Sequence, residues 1–343
     1  MQTDTDLPAP LVSVAVVTYN HVRFLGPCLD SVLLQETQFP FEIVVGDDAS
    51  TDGTRDVVVR YATRYPGIIR PILHPHNLGF RANAWSVLVA SRGEFIAYLD
   101  GDDLMLPEKL QRQVAYLRAH PDVALCFHNM RVFDGDTGLT IGSFNREGDP
   151  AVRTLDDLVR HGTVYCHSSK MLRRSALPAE GLDPCVAYMV DWLHHMQNAR
   201  TGEVGFLGEM LGQYRKHRES MTASSAYAYE RLLKDELYTL ERAAGLGASS
   251  SAIAFGTARV WYLAAIRHLE AGRHSDFRHA IEQSAGYGVW VNRRHQLCYR
   301  LRALPSLLER LAKGYRRAVI NRTLARERAW IDRDHGAGEQ GQE

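Results

Sequence analysis

The 343-residue sequence has no uninterrupted apolar run of the roughly 18 residues that a membrane span requires. Its best stretch, Ala252 to Leu269, is broken by Arg259 and Arg267. The opening MQTDTDLPAP is acidic and has no apolar core, so no secretory signal is expected there. Cysteine is scarce: Cys28, Cys126, Cys166, Cys185 and Cys298 are far apart, odd in number and form no C-x-x-C pair. That argues against a disulfide framework and a cysteine-built zinc site, and predicts reduced, mostly buried thiols in a cytoplasmic protein. Four chemical signatures are also missing. No G-x-G-x-x-G follows the first strand, and no G-x-x-x-x-G-K-[ST] phosphate loop, H-E-x-x-H helix or G-x-S-x-G elbow occurs. The pairs His74/His76 and His194/His195 read as surface or core histidines rather than zinc ligands. Charge of one sign is lacking too, with 40 Lys+Arg against 40 Asp+Glu.

What is present is an ordinary globular composition, 45% apolar, long enough for one large domain or two smaller ones. The first hundred residues alternate strand and helix. Leu11 to Thr18, Phe41 to Gly46, Ile68 to Leu73 and Glu94 to Leu99 are short runs fitting strands. Helical patterns fill Val22 to Leu34, the stretch from Gly53 to about Arg64, and Arg81 to Ser91; in the first, Leu25, Leu29, Val32 and Leu33 share a face. Such alternation predicts an α/β fold, a parallel sheet with helices on both faces. A helix from Pro107 to Ala119, a strand from Val123 to Phe133 and a helix from Tyr188 to Ala199 follow, while the polar, glycine-rich stretch Gly135 to Pro150 reads as a mobile loop. Beyond about residue 225 the pattern is helix upon helix: Leu232 to Arg242, Ala252 to Glu270, His274 to Ser284, and Leu304 to about Ala329. The last ten residues read as disordered.

Ligands of open parallel sheets bind outside the carboxyl ends of the strands, so the exits are the place to look for chemistry. The first strand leads into Thr18-Tyr19-Asn20, the second into Asp47-Asp48-Ala49-Ser50-Thr51-Asp52-Gly53, and the fourth into Asp100-Gly101-Asp102-Asp103. Clustered carboxylates repel one another unless a positive charge sits among them. Mg²⁺ or Mn²⁺, which takes one or two carboxylates plus substrate phosphates, satisfies such a cluster. Ser50, Thr51 or Asp52 can cap the helix after Gly53. The segment after Asp103, Leu-Met-Leu-Pro, is not a helix start, so no helix amides wait for the second acidic group.

The ordered series VSVAVVTYN, EIVVGDDASTDGT, NLGFRANAW and GEFIAYLDGDDLMLPEKL resembles the inverting glycosyltransferases of family 2, with a GT-A fold, across residues 11–220 or so. The resemblance implies a GT-A (Rossmann-like), mostly parallel sheet flanked by helices and followed by an α-helical region. It also implies metal-dependent transfer of a sugar from a nucleoside-diphosphate sugar, UDP rather than dTDP, to an acceptor hydroxyl in cell-surface glycan or glycoconjugate synthesis. Position by position it makes Thr18, Tyr19 and Asn20 nucleotide-lining residues and Asp48 the carboxylate accepting the pyrimidine N3–H. Asn77, Gly79, Arg81 and Asn83 fall in a sugar-nucleotide loop, shorter here than the commonest form, with Arg81 suited to the diphosphate. Asp100-Gly101-Asp102 matches the D-x-D motif, Asp102 ligating Mn²⁺ or Mg²⁺ and Asp100 at the ribose or metal. Val190-Asp191-Trp192 matches the segment carrying the catalytic base, Asp191, with Asp183 as the rival carboxylate. Tyr214-Arg215-Lys216-His217 matches an element whose histidine ligates metal, touches the diphosphate or is structural.

Two other readings share parts of this pattern: a sugar-nucleotide-binding or scaffolding protein without turnover, and a sugar-phosphate nucleotidylyltransferase. The second normally opens with a glycine-rich basic loop, which Thr18-Tyr19-Asn20-His21 is not. The acceptor class stays open among glycans, lipid-linked glycans and small molecules, and nothing points to nucleic acid. Residues 293–328 hold 11 Lys/Arg against 2 acids. Within Leu304 to Trp330, Leu307, Leu308, Leu311, Tyr315, Ala318, Val319 and Arg322 fall at helical spacing, flanked by Arg310, Lys313, Arg316, Arg317 and Arg326. This amphipathic stripe predicts either packing on preceding helices or in a homodimer, or peripheral contact with the inner face of the cytoplasmic membrane.

Overall fold

The computed structural model describes residues 9–146, 149, 151–187, 190–220, 229–311 and 313. The chain divides into two compact units, Met1–Ile253 and Ala254–Glu343. The first half of unit one follows the alternation expected: β1 (Val12–Thr18), α1 (Leu25–Leu33), β2 (Phe41–Asp47), α2 (Thr54–Arg64), β3 (Ile69–Leu73), α3 (Phe80–Ala90) and β4 (Phe95–Asp100). Next come β5 (Leu104–Met105), α4 (Lys109–Ala119), β6 (Val123–Asp134), β7 (Thr140–Ser143), α5 (Leu155–His161) and β8 (Met171–Arg173). The unit continues with α6 (Val190–Asn198), β9 (Glu203–Lys216) and α7 (Tyr229–Ala243). A further helix, α8 (Ser250–Glu270), runs across the division, and α9 (His274–Ala285) and α10 (Arg293–Arg300) belong to unit two.

All the described strands form one sheet in the order β3-β2-β1-β4-β8-β6-β9-β5, with β7 beside β6. The four leading strands are mutually parallel, Val12 standing beside Phe41 on one side and Phe95 on the other. β8 runs antiparallel to β4 and β6, and β6 runs parallel to β9. Every residue of β1 is buried, as expected for a strand covered on both faces. Val12, Val14 and Val16 join Leu25, Leu29, Val57, Val58, Leu110 and Val114 in one core, while α3 packs the opposite face against β1 and β2. Each such aliphatic side chain contributes about 1.5–3 kcal/mol on burial. The helices thereby leave the carboxyl ends of β1, β2 and β4 free to gather loops.

One expectation needs correction, and several features went unread. The stretch 135–150 is not loop throughout: Asp134 Oδ1 accepts the Asp136 and Thr137 amides, the chain turns, and β7 pairs back on β6. The reading left β9 unassigned, although it is the longest strand described, and likewise missed β8, α5 and α10. The sheet's second half also mixes directions, because β8 enters between β4 and β6. In the tail, residues 305–311 are helical; Tyr315, Arg316, Arg317, Ala318, Val319, Arg322 and Arg326, like residue 225, lie outside the described residues. Unit two has its own apolar centre at Ala264, Ala265, Phe277, Ile281 and Leu308. Among the described residues no helix is long and apolar enough to cross a membrane.

At the amino end of the strands, Glu42 ties the sheet together. It is buried, accepts from Ser13 Oγ at 2.6 Å, and pairs with Arg70 at 2.9 Å and Arg92 at 2.8 Å. Burial pushes its carboxyl up, but the bonds from Ser13, the Arg92 amide and the two guanidinium groups outweigh that and hold it below the ordinary glutamate value. A depressed folded pKa gives stability that is present at neutral pH and lost as the pH falls through the folded value. Glu42→Gln should therefore cost about 2–3 kcal/mol in urea unfolding at pH 7, with half-exposed arginines keeping the figure modest. The difference between wild type and variant should shrink as the pH falls below the ordinary glutamate value of about 4.3, and close only below the lower folded value. Equal stability at pH 7 would show that the ion pairs contribute nothing.

Candidate active site

The exits of β1 and β2 are stapled to each other by side chains. Asn20 N donates to Ser50 Oγ at 2.9 Å, His21 N to Thr54 Oγ1 at 2.8 Å, and Val22 N to Asp52 Oδ2 at 3.0 Å. Asn20 returns the favour by accepting the Thr51 amide at 2.8 Å, from a backbone with φ of 54°. Asp52 also accepts the Thr54 amide at 2.9 Å, but the N-cap of α2 is Gly53 and none of Ser50, Thr51 and Asp52 makes the expected side-chain cap. Asp47 is fully buried and pairs with Arg55 at 3.1 Å. Asp48 accepts the amides of Leu78 and Gly79 at 2.7 and 2.9 Å, so its carboxylate shapes the loop after β3. Two adjacent acids therefore do different things.

The exit of β4 is tighter. Gly101 N donates to Val17 O at 2.8 Å, and a Cβ on Gly101 would lie 2.9 Å from both Val17 O and Thr18 Cβ. Only glycine lets β4 approach β1 this closely between two aspartates. Asp100 accepts from Tyr98 Oη at 3.2 Å and Ser168 Oγ at 3.1 Å. Burial, with Asp102 beside it, pushes Asp100 up to about 7. Asp103 is buried as well, accepts the Arg215 amide at 2.9 Å through Oδ1, and leaves Oδ2 without a partner. Burial and its two aspartate neighbours raise it well above the ordinary range. Asp102 differs: His217 Nε2 donates to its Oδ2 at 3.0 Å, and His21 Nε2 lies 3.9 Å away. Burial acts upward on it, yet the His217 bond and the His21 charge leave it below the ordinary aspartate value.

These exits open onto a cavity of about 590 Å³. Thr18, Tyr19, Asp48, Asp100, Asp102 and Asp191 all line it, joined by Asn77, Gly79 and Asn83 from the loop after β3 and the start of α3. Asn20 and Arg81 are not among the lining residues: Asn20 serves the staple described above, and Arg81 Nη1 reaches the Leu182 carbonyl at 3.5 Å. His217 stands behind Asp102, its ring 4.4 Å from that of Phe24. Asp191, on the first turn of α6, has its carboxyl raised by burial and accepts the Trp192 amide at 2.8 Å. The rival Asp183 is engaged elsewhere, with Tyr238 Oη at 3.1 Å and Arg242 at 3.2 Å.

Sequence reasoning passed over several lining residues, among them His21, Phe144, Tyr165 and His167. His21 is next to Asn20 at a strand exit, so the exit rule extended by one residue finds it. Phe144 follows β7 in the stretch read as loop, and Tyr165 and His167 lie where no element was assigned.

Among the described residues no group of three or more His, Cys, Asp or Glu side chains is placed to enclose a metal ion. Asp102 and His217 offer one oxygen and one nitrogen side by side, and Asp103 adds an unpartnered buried oxygen. Few protein donors of this kind suit Mg²⁺ or Mn²⁺, which keeps several waters or phosphate oxygens. The residues present therefore fit such an ion.

A family model for glycosyl transferase family 2 matches residues 13–179. An uncharacterized protein of Mycobacterium bovis is 36% identical over 225 residues, which is 64% of this chain and 62% of that protein. The chain thus spans under two thirds of that relative's length. An uncharacterized glycosyltransferase of Nostoc is 32% identical over 231 residues, 63% of this chain and 68% of its own length. Among solved structures, S. aureus TarS 1-349 in complex with UDP-GlcNAc matches with a TM-score of 0.61 and 19% identity, covering 90% of this chain and 92% of that one. At that identity the likeness is one of fold.

Gly101→Ala tests the crowding at the strand exits. The added methyl group should lower the unfolding free energy by about 1–3 kcal/mol in chemical denaturation. An unchanged midpoint and slope would show that β1 and β4 have room to spare.

Proposed function

Because this chain belongs to glycosyltransferase family 2, we propose that it transfers a sugar from a nucleoside-diphosphate sugar to an acceptor hydroxyl with inversion at the anomeric carbon. The observation that carries the reading is that Asp48, Asp100, Asp102 and Asp191, from three strand exits and a helix, line one cavity. UDP is the favoured nucleotide over dTDP; the fold neighbour TarS was solved with UDP-GlcNAc. The setting is assembly of a cell-surface glycan or glycoconjugate, with a glycan, a lipid-linked glycan or a small molecule as acceptor.

Thr18 and Tyr19 border the nucleotide, and Asp48 accepts the pyrimidine N3–H with lone pairs that the loop amides leave free. Asp102 and His217 would hold Mn²⁺ or Mg²⁺, which when bound supplies positive charge beside the leaving diphosphate. For His217 to ligate through Nε2, its proton moves to Nδ1, a buried atom with no present partner. Arg81 belongs to the same scheme only if its guanidinium leaves Leu182 for the diphosphate. Asp191 accepts the proton of the acceptor hydroxyl while that oxygen attacks C1 on the face opposite the leaving group. Its raised pKa suits the task, since a base works best when its pKa approaches the working pH.

Asp191→Asn should bind the donor as wild type does and lose about 10²–10⁴-fold in kcat. The measurement is steady-state transfer together with donor affinity. If Asp183→Asn loses this rate and Asp191→Asn keeps it, the base is the other carboxylate.

A further inference from the structure

In and behind the wall that carries Asp191 lies a group of basic side chains without a part in this scheme. Lys170, directly before β8, is fully buried. Its Nζ lies 3.0 Å from His194 Nδ1 and 5.5 Å from the centre of the Tyr98 ring. His194 stands one turn beyond Asp191 on α6, so this bond fastens the amine to the turn that bears the carboxylate. On the other side, His167 Nδ1 is 2.9 Å from His195 Nε2, and the His167 and Tyr98 rings are 4.0 Å apart.

An ammonium has three N–H donors and no acceptor, so His194 Nδ1 accepts the bond and its proton sits on Nε2. That Nε2 is buried without a partner. Burial holds His167, His194 and His195 well below the ordinary histidine range, so all three are neutral at physiological pH. Burial also draws Lys170 down to about 7; the carboxylates of Asp191 and Asp100 oppose that. Lys170 in turn pulls Asp191 downward against its burial. The Tyr98 hydroxyl, the remaining titratable group there, is spent on Asp100. With neutral histidines around it, Lys170 is the cation of this group that faces the two acids.

We propose that Lys170 is a positioning residue for sugar transfer, held by His194 against the first turn of α6 so that its ammonium is the counter-charge that keeps Asp191 a carboxylate in the cavity wall. The inference rests on Asp191 being the base. A buried carboxyl without a counter-charge takes up a proton and can no longer accept one. Transfer should then fail at neutral pH although the donor site, on the strand exits, is intact.

The test compares wild type, Lys170→Met, Lys170→Arg and Asp191→Asn in donor affinity and in kcat across pH. Lys170→Met should lose about tenfold or more in kcat near pH 7 and keep donor affinity within about twofold. Its acid limb should move up by about one unit or more, so that activity recovers toward alkaline pH. Lys170→Arg, which restores the charge, should recover most of the rate. If Lys170→Met fails to fold, Lys170→Gln gives the same comparison. An unmoved acid limb, or Lys170→Arg as inactive as Lys170→Met with normal donor binding, overturns the proposal and leaves a packing role. Wild-type turnover by Asp191→Asn would instead remove the base assignment and this inference with it.

Discussion

Repulsion among aspartates at the ends of β2 and β4 is the constraint on which the site depends. Asp47, Asp48, Asp100, Asp102 and Asp103 crowd into two exits that the parallel sheet brings together. Each is answered differently: Asp47 by Arg55, Asp48 by two loop amides, and Asp102 by His217. Asp100 and Asp103 receive only neutral donors, and both are pushed upward by burial and by their neighbours. Carboxyls crowded together without a full counter-charge favour an incoming cation. The crowding also accounts for Gly101, since only a residue without a side chain lets the second acidic exit approach β1 closely.

The same accounting separates the cavity's two walls. On the strand-exit side, Asp48 is met by two backbone amides and Asp102 by His217, while Thr18 Oγ1, Asn83 Oδ1 and Asp103 Oδ2 keep no partner. On the α6 side, Asp191 and His167 line the same cavity, with the buried Lys170, His194 and His195 packed behind them, where charge counts for more than in water. The proposed displacement at an anomeric carbon uses such a division, with the leaving group stabilised on one side and the base held on the other.

How much of this the sequence disclosed follows from which physical signal each part carries. β1 to β4 and α1 to α3 were legible because apolar periodicity, turn residues and chain order agree there. The D-x-D exit and Asp191 were legible as ordered motifs. β9 was not, because Gly205, Gly208, Glu209 and Gly212 deplete it of strand-forming residues. Two of those glycines answer to packing: a Cβ on Gly205 would strike the Tyr116 ring, and one on Gly212 would meet Met130 and His128. Asn20 and Arg81 show the opposite case. Both fall in the motif segments, yet Asn20 staples two loops and Arg81 reaches Leu182. The buried cluster around Lys170 left no periodic trace, because its members come from three segments that meet only in the fold.

The most direct test of the account is thermal unfolding of wild type and Asp102→Asn with UDP, in the presence and absence of Mn²⁺. A ligand that binds the native state adds RT ln(1+[L]/Kd), about 2.7 kcal/mol at a hundred times Kd. The acidic exits predict that UDP with Mn²⁺ raises the wild-type midpoint well beyond UDP or Mn²⁺ alone, and that Asp102→Asn folds but loses this synergy. A midpoint that UDP raises equally with and without Mn²⁺, in both proteins, would contradict the account.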